Sequence, residues 1–187
     1  MIQDTFFNEK NFEDLAKASP GEFEDCEFEG IKFSDLEFKP SIFMDCKFKN
    51  CSLAGAEFLG STFRNTEFTG CNLMGKNWSV LNRFENCGFA NCKLDYSSFQ
   101  GLKLKGLKCI DCSLKDSDFS EAQLIESDFS GSLLTGASFT RADLSKANFR
   151  TAKEYFIDPA FTKIKGAKFC VPEALVLLTA LGAEVDF

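Results

Sequence analysis

The chain has 187 residues and 44% of them are hydrophobic, enough for a real core in one domain. Its 23 Phe and nine Cys stand beside no His at all, which excludes histidine bases, histidine-activated nucleophiles and histidine metal ligands. The net charge of −7 argues against a plain nucleic-acid binder, and it all arises in residues 1–30, with nine acids against two bases, since residues 31–149 hold 14 of each and the tail five of each.

The N-terminal residues 1–22 lie outside any repeat and are expected to cap the open end of a solenoid, which must be covered. Phe7 and Phe12 are five apart, so an irregular first coil there stays open. The segment has no basic run followed by a long apolar stretch, and no run in the chain approaches the ~20 apolar residues of a membrane span. A cytoplasmic protein without membrane contact is expected, with its cysteines as reduced thiols.

From Phe23 a large apolar residue recurs every five positions, through Phe28, Phe33, Phe38, Phe43 and onward to Trp78. The frame then slips by one residue within Ser79, Val80, Leu81, Asn82 and Arg83, and resumes at Phe84 to run to Phe149, giving 26 units in all. We call the large residue the centre. Two positions before most centres sits a small or apolar residue, such as Cys51, Ala56, Cys71 or Ala142. A period of five fits neither helix nor strand, and instead describes a chain that turns a corner after each short extended piece. Gly, Asn or Asp two places after the centre suits the positive φ of a type II turn. Glu121, Glu126, Arg141 and Lys146 occupy that place later, so a different turn is expected there. Four corners close a coil of 20 residues, and coils about 4.8 Å apart make a rod of roughly 30 Å over residues 23–151. Stacked side chains fill it and leave no interior cavity, and with no catalytic pair evident a non-enzyme is expected.

The unit small-x-(Phe/Leu)-x-x, clear in residues 137–149, resembles the pentapeptide-repeat proteins. That resemblance implies an all-β fold, a right-handed quadrilateral β-helix. Cys51, Cys71, Cys92 and Cys112 would then form one inward column. Such a ladder offers no tetrahedral set for a metal, and its in-register neighbours are poorly placed for a disulfide, so the thiols read as small apolar filler.

Beyond Tyr155 the repeat lapses. Pro172 to Gly182 carries helix punctuation, and residues 183–187 read as a short strand. The apolar side chains Leu175, Leu177, Leu178, Leu181, Val185 and Phe187 exceed what one solenoid end can cover, so residues 152–187 are expected to cap the rod and join two copies of the chain. Residues 157–175, from Ile157-Asp158-Pro159 to Pro172-Glu173-Ala174-Leu175, resemble the C-terminal module of the Qnr and MfpA group. That resemblance implies a dimeric DNA mimic that binds DNA gyrase or topoisomerase IV and protects it from quinolones. The best acidic face for this role carries Glu37, Glu57, Asp118 and Glu121, with Lys39 and Arg141 beside it. The alternative is a pentapeptide-repeat scaffold for another protein partner. No cofactor, metal or direct nucleic-acid contact is expected.

Overall fold

A computed structural model describes residues 1–34, 38 and 40–185. The extended pieces are short because each is bounded by a corner. The first coil contributes β1 (Ile2–Gln3) and β2 (Phe6–Phe7), followed by α1 (Phe12–Ala18). The next coils contribute β3 (Glu22–Glu24), β4 (Glu27–Glu29), β5 (Ile42–Met44), β6 (Lys47–Lys49), β7 (Thr62–Arg64) and β8 (Glu67–Thr69). Then come β9 (Arg83–Glu85), β10 (Gly88–Ala90) and β11 (Lys108–Ile110). All pairings are parallel, in two sheets ordered β1-β3-β5-β7-β9 and β2-β4-β6-β8-β10-β11. Single bridges draw the two remaining sides, for example Lys32↔Ser52↔Asn72 and Asn77↔Ser98↔Asp118↔Ser138. The result is a four-sided β-helix.

Register confirms the spacing read from the sequence. Phe23 pairs with Phe43 and Phe43 with Phe63, a step of 20 residues. Across the frame slip Phe63 pairs with Phe84 and Phe68 with Phe89, a step of 21. One extra residue is therefore the whole interruption in that coil, and no longer loop is hidden there.

The centres stack in register. Phe23–Phe43, Phe43–Phe63 and Phe28–Phe48 rings lie 5.1, 4.8 and 4.6 Å apart and within 14° of parallel. Neighbouring columns meet edge to face, as Phe23 meets Phe28 at 73°. Both arrangements suit the aromatic quadrupole, and each pair adds roughly 0.5–1.5 kcal/mol beyond simple burial.

Three expectations need correction. First, the ladder outruns the repeat at both ends. Ile2 and Phe7 pair with Phe23 and Phe28, while Asp143 and Asn148 bridge to Lys163 and Lys168. Phe169 still stacks on Phe149, 5.5 Å between centroids. A template strand can impose its register on a poor sequence, because each new backbone group finds its partner already in place. Residues 1–22 thus hold both a first coil and α1, whose Leu15 is fully buried in the core. Second, Glu121, Glu126, Arg141 and Lys146 keep the left-handed corner, with φ of 63, 62, 60 and 61°. The coil above supplies the reason: the Glu121 and Lys146 amides donate to the carbonyls of Thr140 and Lys165, each at 2.9 Å. Keeping those bonds outweighs a cost of about 1–2 kcal/mol for a left-handed L-residue. Third, residues 183–185 form no strand, and the helix is a 3-10 turn at Glu173–Leu175 leading into α2 (Val176–Ala180).

Eight of the nine cysteines are buried free thiols, and Cys170 is exposed. They are more than filler. The Cys51 and Cys71 thiols donate to the carbonyls of Phe28 and Phe48 in the coil below, both at 3.3 Å. Ser97 and Ser117 hydroxyls at equivalent positions donate to Leu73 and Leu94 at 3.1 and 2.9 Å. Cys, Ser and Thr are thus interchangeable here as small side chains with one donor. Burial pushes the Cys46 and Cys87 thiols up to about 12. Among the described residues no helix is long and apolar enough to cross a membrane.

Candidate partner-binding face and its apolar cavity

One side of the rod is built on the centres Phe58, Trp78, Phe99, Phe119 and Phe139. Phe99 stacks on Phe119 at 4.7 Å and 3°, and Phe119 on Phe139 at 5.3 Å and 5°. Residues flanking a centre point outward, so this side presents Glu57, Leu59, Asn77, Ser79, Ser98, Gln100, Asp118, Ser120, Ser138 and Thr140. None of these is Lys or Arg, whereas the other three sides carry Lys47, Lys93 and Lys103 at equivalent places; Lys39, which the sequence sets beside Phe38 on this same side, lies outside the described residues.

The four acidic residues read from the sequence are not equivalent. Glu37 lies outside the described residues, as does Lys39. Asp118 is half-buried and accepts the Ser120 amide at 2.9 Å, which fixes its carboxylate against the face. Glu121 sits on the corner beside it, and Arg141 Nη2 donates to it at 2.5 Å, so its charge is offset. Glu57 stands three coils from Asp118, about 14 Å away at the strand spacing. Neutral Asn77 and Ser98 lie between them. The structure brings Asp118 and Glu121 together and leaves Glu57 apart.

The frame slip lies on this same side. Trp78–Val80 forms a 3-10 turn, capped by the Asn77 side chain accepting the Ser79 amide at 3.0 Å. Ser79 and Val80 are exposed, Leu81 is half-buried against the core, and Asn82 is exposed. Arg83 begins β9 and pairs with Glu85 at 3.5 Å. The slip therefore raises a short apolar ridge. Between the ridge and the previous coil opens a cavity of about 380 Å³, lined by Ala56, Glu57, Phe58, Leu59, Lys76, Asn77, Trp78, Val80 and Leu81.

Sequence reading missed Lys76. It occupies the place two before the centre Trp78, where this side otherwise carries Ala56, Ser97, Ser117 and Ala137. No other charged residue holds that place in any of the 26 units, and that exception was visible in the sequence. Lys76 is half-buried at that place. Its ammonium donates to the Ala56 carbonyl and lies 5.9 Å from the Phe58 ring centroid. Burial holds its pKa below the usual lysine value.

A second cavity of about 360 Å³ lies further along, between Ser138–Thr140 and Phe156–Asp158, with Phe161 and Thr162. Phe156 and Phe161 are 57% and 66% exposed, an aromatic patch at the end of the candidate face. At the C-terminal end, Leu175, Leu177 and Val185 are half-buried, Leu178 and Leu181 exposed, and Phe187 is outside the described residues. No described side chain of α2 is fully buried. Among the described residues no group of three or more Cys, Asp or Glu could hold a metal ion.

The four-sided coil, its five-residue period and its inward column of small donors define a repeat solenoid. A profile described as a pentapeptide repeat region matches residues 21–99 and 82–153, and the chain belongs to that family. Among solved structures, a trypsin-treated form of QnrB1, a plasmid-mediated fluoroquinolone resistance protein, is 20% identical, with a TM-score of 0.58 over 100% of this chain and 91% of that one. HetL, a pentapeptide repeat protein involved in heterocyst differentiation regulation from the cyanobacterium Nostoc, is 17% identical, with a TM-score of 0.48 over 89% of this chain and 84% of that one. At 20% identity the likeness to the QnrB1 form concerns the fold alone. No curated protein matches the sequence.

Proposed function

We propose that the rod offers the side running from Glu57 to Thr140 to a type II topoisomerase, DNA gyrase or topoisomerase IV, in place of a DNA segment, and so shields the enzyme from quinolone-type inhibitors. The observation that carries this reading is a stiff face whose described residues flanking the centres from Phe58 to Phe139 include no Lys or Arg, with Glu57 and Asp118 among hydroxyl and amide side chains and Glu121 on the adjoining corner. A surface that enters a DNA-binding groove must avoid cations, because the groove itself is basic. The protein acts by binding, without catalysis.

A single rod of about eight coils is near 40 Å long at the strand spacing. A two-fold contact through Leu175, Leu177, Leu178, Leu181, Val185 and Phe187 doubles that span and closes at two subunits. The unburied apolar side chains of α2 support such a contact. Light scattering reads it as twice the 20.8 kDa of one chain.

A scaffold for another protein partner is the second reading. Offset of Glu121 by Arg141 and the exposed Phe156 and Phe161 favour it, because aromatic patches suit protein surfaces better than a DNA groove does. A gyrase supercoiling assay separates the two. With a quinolone present, added protein restores supercoiled product on the first reading and changes nothing on the second.

A further inference from the structure

Lys76 breaks the repeat at the one place where a charge is most costly. An inward slot taken by Ala or Ser in neighbouring coils holds a long ammonium side chain, with the Ala56 carbonyl as its acceptor. Among the described residues no carboxylate pairs with it, although Glu57 lines the same cavity. Local rules broken without structural gain mark places held for another purpose. The adjoining walls are apolar: Ala56, Phe58, Leu59, Trp78, Val80 and Leu81. Leu59 and Val80 remain 59% and 42% exposed on them.

A concave apolar site of roughly 300–1,000 Å³ with a single convergent charge is the usual form of a small-ligand pocket. Its chemistry follows from its parts. The walls take a compact hydrocarbon body, and the ammonium takes an anion. A single ammonium balances a single negative charge, so the ligand carries one. We infer that the cavity at the frame slip binds a compact apolar monocarboxylate, its body against Leu59, Val80 and Leu81 and its carboxylate on the Lys76 ammonium. The site stands independently of any topoisomerase partner.

The slip itself makes the pocket. In a regular coil the residues after Trp78 would lie flat against the rung below, as the bridge from Ser98 to Asp118 does further along. The added residue instead forms the 3-10 turn, and the Val80 carbonyl is held by the Gly60 amide at 3.2 Å. The ridge is thus tied to the coil beneath it rather than free to close the gap.

Trp78 is the only tryptophan of the chain and lines the cavity, so its emission reports occupancy directly. The probe is adamantane-1-carboxylate, which is compact, singly charged and transparent at tryptophan wavelengths. Titration into the full chain is expected to shift Trp78 emission saturably. The neutral amide, adamantane-1-carboxamide, and the Lys76→Met variant should each weaken binding about tenfold or more, the loss of one charge-assisted hydrogen bond. No saturable change with the acid, or equal affinity for acid and amide, would overturn the inference. If Lys76→Met does not fold, the acid–amide comparison on the unaltered lysine decides the matter alone.

Discussion

Arg141 Nη2 donates to Glu121 Oε1 at 2.5 Å, and both residues hold the left-handed backbone of a corner, at φ 60 and 63°. They are one coil apart in the same corner row. Lys146 and Glu126 repeat the relationship in the next row at 3.1 Å, with Lys105 adding a contact at 3.7 Å. These two corner rows without glycine thus carry exposed ion pairs, which add little, and the backbone ladder does most of the work of holding the φ.

Tyr96 gives the plainest test of corner strain. It sits at φ 60°, is 64% exposed, and pairs with no charge. Tyr96→Gly removes the left-handed cost and should stabilise the fold by about 1 kcal/mol despite the entropy of glycine. Ser98→Gly, one bridge position away, should destabilise it. Chemical denaturation of the two variants checks the signs.

Core centres should behave oppositely. Phe63 and Phe99 are fully buried between stacked rings, so Phe63→Ala and Phe99→Ala should each cost about 3–5 kcal/mol. Glu67→Ala, on the exposed flank of β8, should leave the thermal midpoint almost unchanged. Equal midpoints for all three would contradict the inward assignment of the centres.

Much of this fold is legible from the sequence because a five-residue period has few physical solutions. The columns Phe23–Phe43–Phe63–Phe84 and Phe99–Phe119–Phe139 pair as their spacing requires. What is not legible follows from cooperativity. Lys163 and Lys168 continue the ladder beyond the break at Pro159, because the coil below offers each backbone group its partner, and Ile164 and Phe169 resume the five-residue frame. Glu121 and Lys146 adopt a glycine conformation for the same reason. The candidate face was only partly readable. Alternation places Asp118 outward, but not its bond to Ser120, nor the ion pair that offsets Glu121. Nor could spacing alone reveal that the slip at Ser79–Arg83 opens a cavity beside Lys76.

The thiols separate into two classes. Under native conditions a thiol reagent should modify Cys170 alone, since the other eight are buried and several bond to carbonyls of the coil below. Burial raises Cys46 and Cys87 to about 12, so their thiolate fraction stays negligible up to moderately alkaline pH. After denaturation without reductant all nine should react. Rapid native labelling of several thiols would contradict the packed column.

Lys76 should cost stability. Its folded pKa is held below 10.5 by burial, so the penalty is fully present at neutral pH and fades as pH rises through the folded value toward 10.5. Lys76→Met should therefore melt a few degrees higher than the parent near pH 7, with the gap narrowing in alkaline buffer. A destabilised variant, or a gap that widens with pH, would contradict the assignment of Lys76 as a strained inward residue.

Displacement of DNA from DNA gyrase tests the central claim most directly. A fluorescently labelled duplex bound to the enzyme reports its release through anisotropy as this protein is added. The account predicts saturable release near stoichiometric concentration, weakened by Asp118→Lys or Glu57→Lys on the candidate face and unaffected by Glu67→Lys on another side. Retention of the duplex at a large excess of protein, or equal release by all three variants, would contradict it.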